Sequence, residues 1–119
     1  MRKKINPYYN PGKVNLNILS FDEPNMSYKY NTLCFWSTQR GEVYAASDSG
    51  CSCPLPFENY EGYNQSDVLS LLERVGSIEQ GESIFNAWNK SYDNKPMLSI
   101  SYKQTLLDWL KEYLKNEKT

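Results

Sequence analysis

The sequence contains no histidine. That absence removes the side chain most often used as a general base, the usual charge switch near neutral pH and the commonest metal ligand. A Ser-His or Cys-His nucleophile pair cannot be assembled within one chain. Net charge is almost missing as well. Thirteen basic residues stand against 14 acidic ones, a formal −1 with a pI near 5.4. No overall field attracts a polyanion, so no nucleic-acid partner is expected. Long apolar runs are lacking, and no stretch approaches the ~20 residues of a transmembrane helix. Arg2-Lys3-Lys4 is followed by Asn-Pro and two tyrosines rather than by the apolar core of a secretory leader. With three cysteines, an odd number, and no address, the expectation is a reduced, cytosolic chain with no membrane partner and no cofactor.

What is present is a chain of 119 residues, 39% hydrophobic, with 10 tyrosines and 3 tryptophans. Domains run to roughly 100–200 residues, so residues 1–119 are expected to form a single domain. Pro7, Pro11 and Gly12 make residues 1–13 an irregular N-terminal arm. Val14, Leu16 and Ile18 alternate as in a half-buried strand, closed by the turn residues Asp22-Glu23-Pro24-Asn25. Tyr28–Ser47 reads as a hairpin. Tyr28, Tyr30, Cys34 and Trp36 share one face, Leu33 and Phe35 the other, and Gly41 is available for a positive φ at the turn. Ser66 is expected to cap a helix carrying Val68, Leu69, Leu71, Leu72 and Val75, with Gly76 as its stop. Ser77–Asn89 is helical in its second half, Asp93–Pro96 is a turn, and Met97–Ile100 is extended. Leu106, Leu107, Leu110, Tyr113 and Leu114 stripe a last helix. The fold class is therefore α+β, a small antiparallel sheet of about three strands against two or three helices.

The stretch that propensity does not explain is Asp48-Ser49-Gly50-Cys51-Ser52-Cys53-Pro54-Leu55-Pro56-Phe57-Glu58, within a loop expected from Ser47 to Gly62. Four readings compete. Cys51 and Cys53, joined by Cys34 and by Asp48 or Glu58, could hold a soft metal ion, although zinc sites usually use wider cysteine pairs. A Cys51–Cys53 disulfide would close a strained, labile ring. A nucleophilic cysteine would need Asp48 or Glu58 as its base, a poor pKa match without burial. The fourth reading is a scaffold. Asp48 and Ser49 satisfy backbone donors, Gly50 takes a positive φ, the cysteines pack as small hydrophobes, and Pro54 and Pro56 deliver Phe57 into the core. The scaffold reading accounts for every residue, and no catalytic or metal-ligating residue is assigned.

Tyr8, Tyr9, Tyr60 and Tyr63 fall in irregular segments, where exposure is expected. Interfaces are enriched in such anchors, so these four are candidates for a protein contact. Trp36, Trp88 and Trp109 fall on regular elements and are assigned to the core.

The string from Val43 to Glu58, Val-Tyr-Ala-Ala-Ser-Asp-Ser-Gly-Cys-Ser-Cys-Pro-Leu-Pro-Phe-Glu, resembles the signature of an uncharacterised family of small bacteriophage-encoded proteins. There a hairpin leads into a D-S-G-C-S-C-P-x-P-F-E segment followed by helices. The resemblance covers the chain from Trp36 to about Tyr60 and carries no known activity. It implies a setting, the cytoplasm of an infected bacterium, in which small one-domain proteins often bind and occlude a host protein, defence components included. The leading expectation is thus a non-enzymatic host-interaction protein, with a homodimer compatible with its aromatic surface. The alternatives are a metal- or thiol-dependent activity at Cys51-Ser52-Cys53, or a sponge for a small molecule such as a nucleotide.

Overall fold

The computed structural model describes residues 3–27, 29–51, 55–90 and 94–115. Tyr28, Cys53, Pro54 and Asp93 lie outside the described residues. One antiparallel sheet is built from β1 (Asn17–Asp22), β2 (Lys29–Ser37), β3 (Val43–Cys51) and β4 (Glu73–Val75), hydrogen-bonded in that order, with the β-formers Tyr30, Thr32, Phe35 and Trp36 concentrated in β2. The expected hairpin is β2–β3, with Ser37 opposite Val43 and Lys29 opposite Cys51. Its turn runs through Gly41 at φ 83, a conformation that side chains resist. Three helices follow among the described residues: α1 (Gln65–Leu69), α2 (Ile78–Trp88) and α3 (Ile100–Tyr113). The α+β class is as expected, with one strand more than expected.

Every residue of β2 from Thr32 to Ser37 is buried, so the sheet is covered on both faces. Because side chains alternate along a strand, two cores result. Leu33 and Phe35 join Phe21, Val43, Ala45 and Val75 of the sheet, Phe85 of α2, and Leu106 and Leu110 of α3. Cys34 and Trp36 face the other way, into Val14, Leu16, Phe57 and Val68. Trp36 is fully buried, while Trp88 and Trp109 pack half-buried at the margin of the helical core. Along α3 and its C-cap, Leu106, Leu110 and Leu114 repeat every four residues and are buried, with Leu107 and Tyr113 half-covered beside them. Ser77 caps α2 by accepting from the Gln80 N–H at 3.1 Å, and Gln80 Oε1 accepts from the Gly76 N–H at 2.7 Å. This is a capping box displaced by one residue.

Several local expectations are corrected. Glu73–Val75 is a strand, not the end of a helix. The α1 helix stops at Leu69, where Ser70 Oγ donates to the Asp67 carbonyl at 2.7 Å, and Leu71 is left 48% exposed. Val75 then gains a cross-strand partner in Val43, and pairing with the sheet replaces a helical stripe. The cap of α1 is Asn64, whose side chain accepts from the Asp67 N–H at 2.8 Å, rather than Ser66. Val14 lies in a 3-10 turn, Pro11–Val14, and β1 begins only at Asn17. Ile100 opens α3 instead of ending an extended segment. Strand β3 continues through Asp48, Ser49 and Gly50 to Cys51, because β2 is long enough to pair with them all. No helix among the described residues is long and apolar enough to cross a membrane.

The arm is bound to the body of the protein. Asn6 and Pro7 are buried, and Ile5 exchanges two backbone bonds with Gly62, at 2.7 and 3.2 Å. A Cβ on Gly62 would lie 2.6 Å from the Asp67 Cβ and 2.9 Å from the Val68 nitrogen, whereas one on Gly12 would meet nothing within 4 Å. Gly62→Ala is therefore expected to lower stability by about 1–3 kcal/mol through overpacking. Gly12→Ala should stay within about 0.5 kcal/mol of the parent. Urea denaturation of the two variants side by side measures the difference.

Candidate functional site

The unusual segment and the arm meet over the Trp36 face of the sheet, and Asp48 organises the meeting. Its Oδ2 accepts from the Phe57 N–H at 2.7 Å and from the Tyr30 hydroxyl at 3.1 Å, while Oδ1 accepts from the Ser49 N–H at 3.0 Å. Gly50 lies opposite Tyr30 on the paired strand. A Cβ there would sit 3.3 Å from the Tyr30 hydroxyl oxygen, so the missing side chain lets the ring cross the strand towards Asp48. Gly50 thus serves by its small size, within a strand. The glycine with positive φ among the described residues is Gly41.

Phe57 is fully buried and takes a left-handed backbone, φ 61, which is rare for a bulky residue. Three rings hold it: Trp36 edge-on at 5.6 Å, Tyr8 stacked at 5.3 Å and Tyr60 tilted at 5.6 Å. Tyr9 extends the cluster from Tyr8 at 5.0 Å. Pro56 is half-buried, and its carbonyl accepts from Asn6 Nδ2 at 2.9 Å. Glu58 is exposed and opens a 3-10 turn, Glu58–Tyr60. Of the four candidate tyrosines, Tyr8 and Tyr60 are half-buried against Phe57, whereas Tyr9 and Tyr63 are 51% and 42% exposed. Tyr63 has Lys4 Nζ 5.9 Å from its ring centre, and Leu55 adds 54% exposure to the same layer.

Residues 5–112 match the family described as Domain of unknown function (DUF7574). The chain belongs to this family. No curated protein and no solved structure matches it. The domain takes in the arm from Ile5, the Asp48–Phe57 anchor and nearly all of α3, so both covers of the sheet are part of the family's common unit.

Sequence reasoning did not single out Asn6, Tyr30 or Pro7 for this site. Asn6 Oδ1 accepts from the Tyr8 and Tyr9 N–H groups at 2.8 and 3.3 Å, turning the chain so that the two rings project from it. The Asn-Pro pair is the signal that could have revealed it, since Asn side chains commonly fold back on the backbone two residues on. The Pro7 carbonyl accepts from the buried Trp36 Nε1–H at 3.0 Å, a bond invisible to local pattern.

The cysteines are kept apart. Cys34 pairs across the hairpin with Ala46 and Cys51 with Lys29, five positions further along β2. That is roughly 16 Å at ~3.3 Å per residue, and the odd offset turns the two side chains to opposite faces. Cys34 therefore does not share a ligand set with Cys51. Burial, with the Asp22 carboxylate adding to it, pushes the Cys34 thiol well above its ordinary range, so it stays protonated. Among the described residues, no three Cys, Asp or Glu side chains gather where they could hold an ion.

Asp48→Ala strands the Phe57 N–H and is expected to cost about 1–3 kcal/mol, with Asp48→Asn costing less because one carbonyl acceptor remains. Chemical denaturation followed by tryptophan fluorescence reads both. Tyr30 supplies a pH test. Desolvation of the phenol and the bond it donates to Asp48 push its pKa from 10.0 up to about 12. Between those values the unfolded chain has released a proton that the folded chain keeps, so stability falls as pH rises through the window. Tyr30→Phe is expected to flatten that decline in urea midpoints measured at intervals across the same window.

Proposed function

We propose that this chain is a non-enzymatic binding protein that engages a host protein through its arm-and-loop face, inside a bacterium infected by the phage that encodes it. The observation that carries the reading is the pairing of exposed Tyr9 and Tyr63 with a fixed base. Both sit in irregular chain, yet the segments beneath them are held by Asn6, Asp48, Phe57 and the Ile5–Gly62 bridge. Tyrosine suits such a role, since it offers a large contact area with few torsions to freeze. Leu55 supplies an aliphatic contact and Lys4 a charge at the margin. The phage setting rests on the resemblance of the Val43–Glu58 string. Occlusion of a host enzyme, such as a nuclease of anti-phage defence, is the consequence such binding would have.

A thiol activity draws less support. Cys51 is exposed at the end of β3, but its nearest carboxylate by sequence, Asp48, already spends both oxygens on three donors. The binding reading is tested with a tagged chain incubated in lysates of several bacterial hosts. One defined host protein should be retained in fixed ratio, and Tyr9→Ala or Tyr63→Ala should each weaken its capture about tenfold or more, as at an interface hot spot. Tyr102→Ala, exposed on α3 across the sheet, should leave capture unchanged. Retention of nothing in any host, or capture indifferent to both tyrosines, overturns the proposal.

A further inference from the structure

On the side of the sheet away from the four tyrosines, the end of α2, residues 94–99 and the first turn of α3 line an open cavity of about 380 Å³. That lies within the ~300–1,000 Å³ range of small-molecule sites. Its floor is apolar, with Phe85 and Leu98 buried beneath it, and Ile100 stands at its lip 82% exposed. An isoleucine left that bare beside an apolar hollow gains by having something laid over it. The rim is of different chemistry. Lys90 and Lys103 reach it from the two helical ends, Asn86 and Asn94 add amide groups, and no carboxylate among the described residues lines it.

The walls are formed without a ligand. Asn89 is buried and binds the Leu98 backbone twice, accepting from its N–H at 2.8 Å and donating to its carbonyl at 3.2 Å. The Lys103 ammonium also meets Glu82 at 3.7 Å, but both side chains are partly exposed, and such pairs are weak. A doubly charged anion can therefore compete for that lysine.

We propose that this cavity binds an organic phosphate of mononucleotide size. Its phosphate lies between Lys90 and Lys103, its ring covers Ile100 and the apolar floor, and its polar ring edge meets the Asn86 and Asn94 amides, which can both donate and accept. A lone inorganic anion would leave the floor and Ile100 wet, and an uncharged ring would make no use of the two ammonium groups at the rim. The site is independent of the protein-binding reading and lies on the other cover of the sheet.

The test is isothermal titration calorimetry of the full chain with AMP, GMP, CMP and UMP, with adenosine and inorganic phosphate titrated separately. At least one mononucleotide should bind in the millimolar range or tighter, and each half-ligand should bind about tenfold more weakly or worse. Lys90→Met and Lys103→Met, both outside the cores, should each lower affinity about tenfold, and Asn86→Trp, which fills the mouth, should abolish binding. Amide chemical shifts of the unaltered protein provide a check that needs no variant, with changes expected at Asn86, Asn94 and Ile100. No heat from any mononucleotide, affinity unchanged by the lysine and tryptophan variants, or shifts confined to Tyr9 and Tyr63 overturns the assignment.

Discussion

Burial of β2 on both faces obliges this chain to cover its sheet twice. Small antiparallel sheets commonly leave one face wet, but here Leu33 and Phe35 on one side and Cys34 and Trp36 on the other are all shielded from water. The two covers differ in kind. Helices α2 and α3 bring regular apolar stripes to the first face. The second is roofed mostly by irregular chain, with the five-residue α1 and two short 3-10 turns among it. Irregular chain over a core leaves backbone groups that must find partners, and the amide and carboxylate side chains of that layer supply them. Asn6 serves Tyr8, Tyr9 and Pro56, Gln65 Nε2 donates to the Val14 carbonyl at 3.0 Å, Asn64 caps α1, and Asp48 serves Phe57 and Ser49. The abundance of such residues in the first and middle parts of the sequence follows from what they cover.

Phe57 shows how far that second cover is over-determined. A left-handed backbone at a bulky residue costs on the order of 1–3 kcal/mol. It persists because Asp48 holds the amide while Trp36, Tyr8 and Tyr60 enclose the ring. Trp36 in turn donates to Pro7. One ring thereby ties the central strand, the arm and the loop together, through contacts far apart in sequence.

Where the sequence was legible, local pattern and tertiary pairing agreed. The alternation in β2, the glycine at the hairpin turn and the four-residue leucine spacing of α3 each specify an element with no outside help, whereas α2 runs the whole of Ile78–Trp88 where only the second half of Ser77–Asn89 was expected to be helical. The misreadings fall where partners distant in sequence decide. Val75 completes a helical stripe on paper, but Val43 draws it into the sheet. Gly50 looked like a turn glycine because its neighbours are polar, yet nine paired positions of β2 carry the strand past it. The scaffold reading of the segment after Ala46 had the right actors in Asp48 and Phe57. It missed that the aspartate acts from a strand and that the other half of the anchorage comes from Asn6 and Pro7. The cavity beside α3 left no local trace, since its lysines and asparagines look like ordinary solvated helix ends.

The anchor also bears on how binding and stability relate in the proposed role. Association is costly in proportion to the torsions and loops it must freeze. A tyrosine on loose chain would lose much of its contact energy to that ordering. Here the turn at Asn6, the bond from Phe57 to Asp48 and the Ile5–Gly62 bridge have already fixed the backbone near Tyr9 and Tyr63 during folding. The same bonds would thus be read twice, once as folding free energy and once as affinity. A substitution at Asp48, which is covered by the anchor it forms, would weaken a partner's hold without touching that partner. It would do so by restoring motion to the segments that carry the tyrosines, whereas the loss at Tyr9 itself would be one of contact. Comparing the two kinds of variant separates the rigidity of the surface from the chemistry it displays.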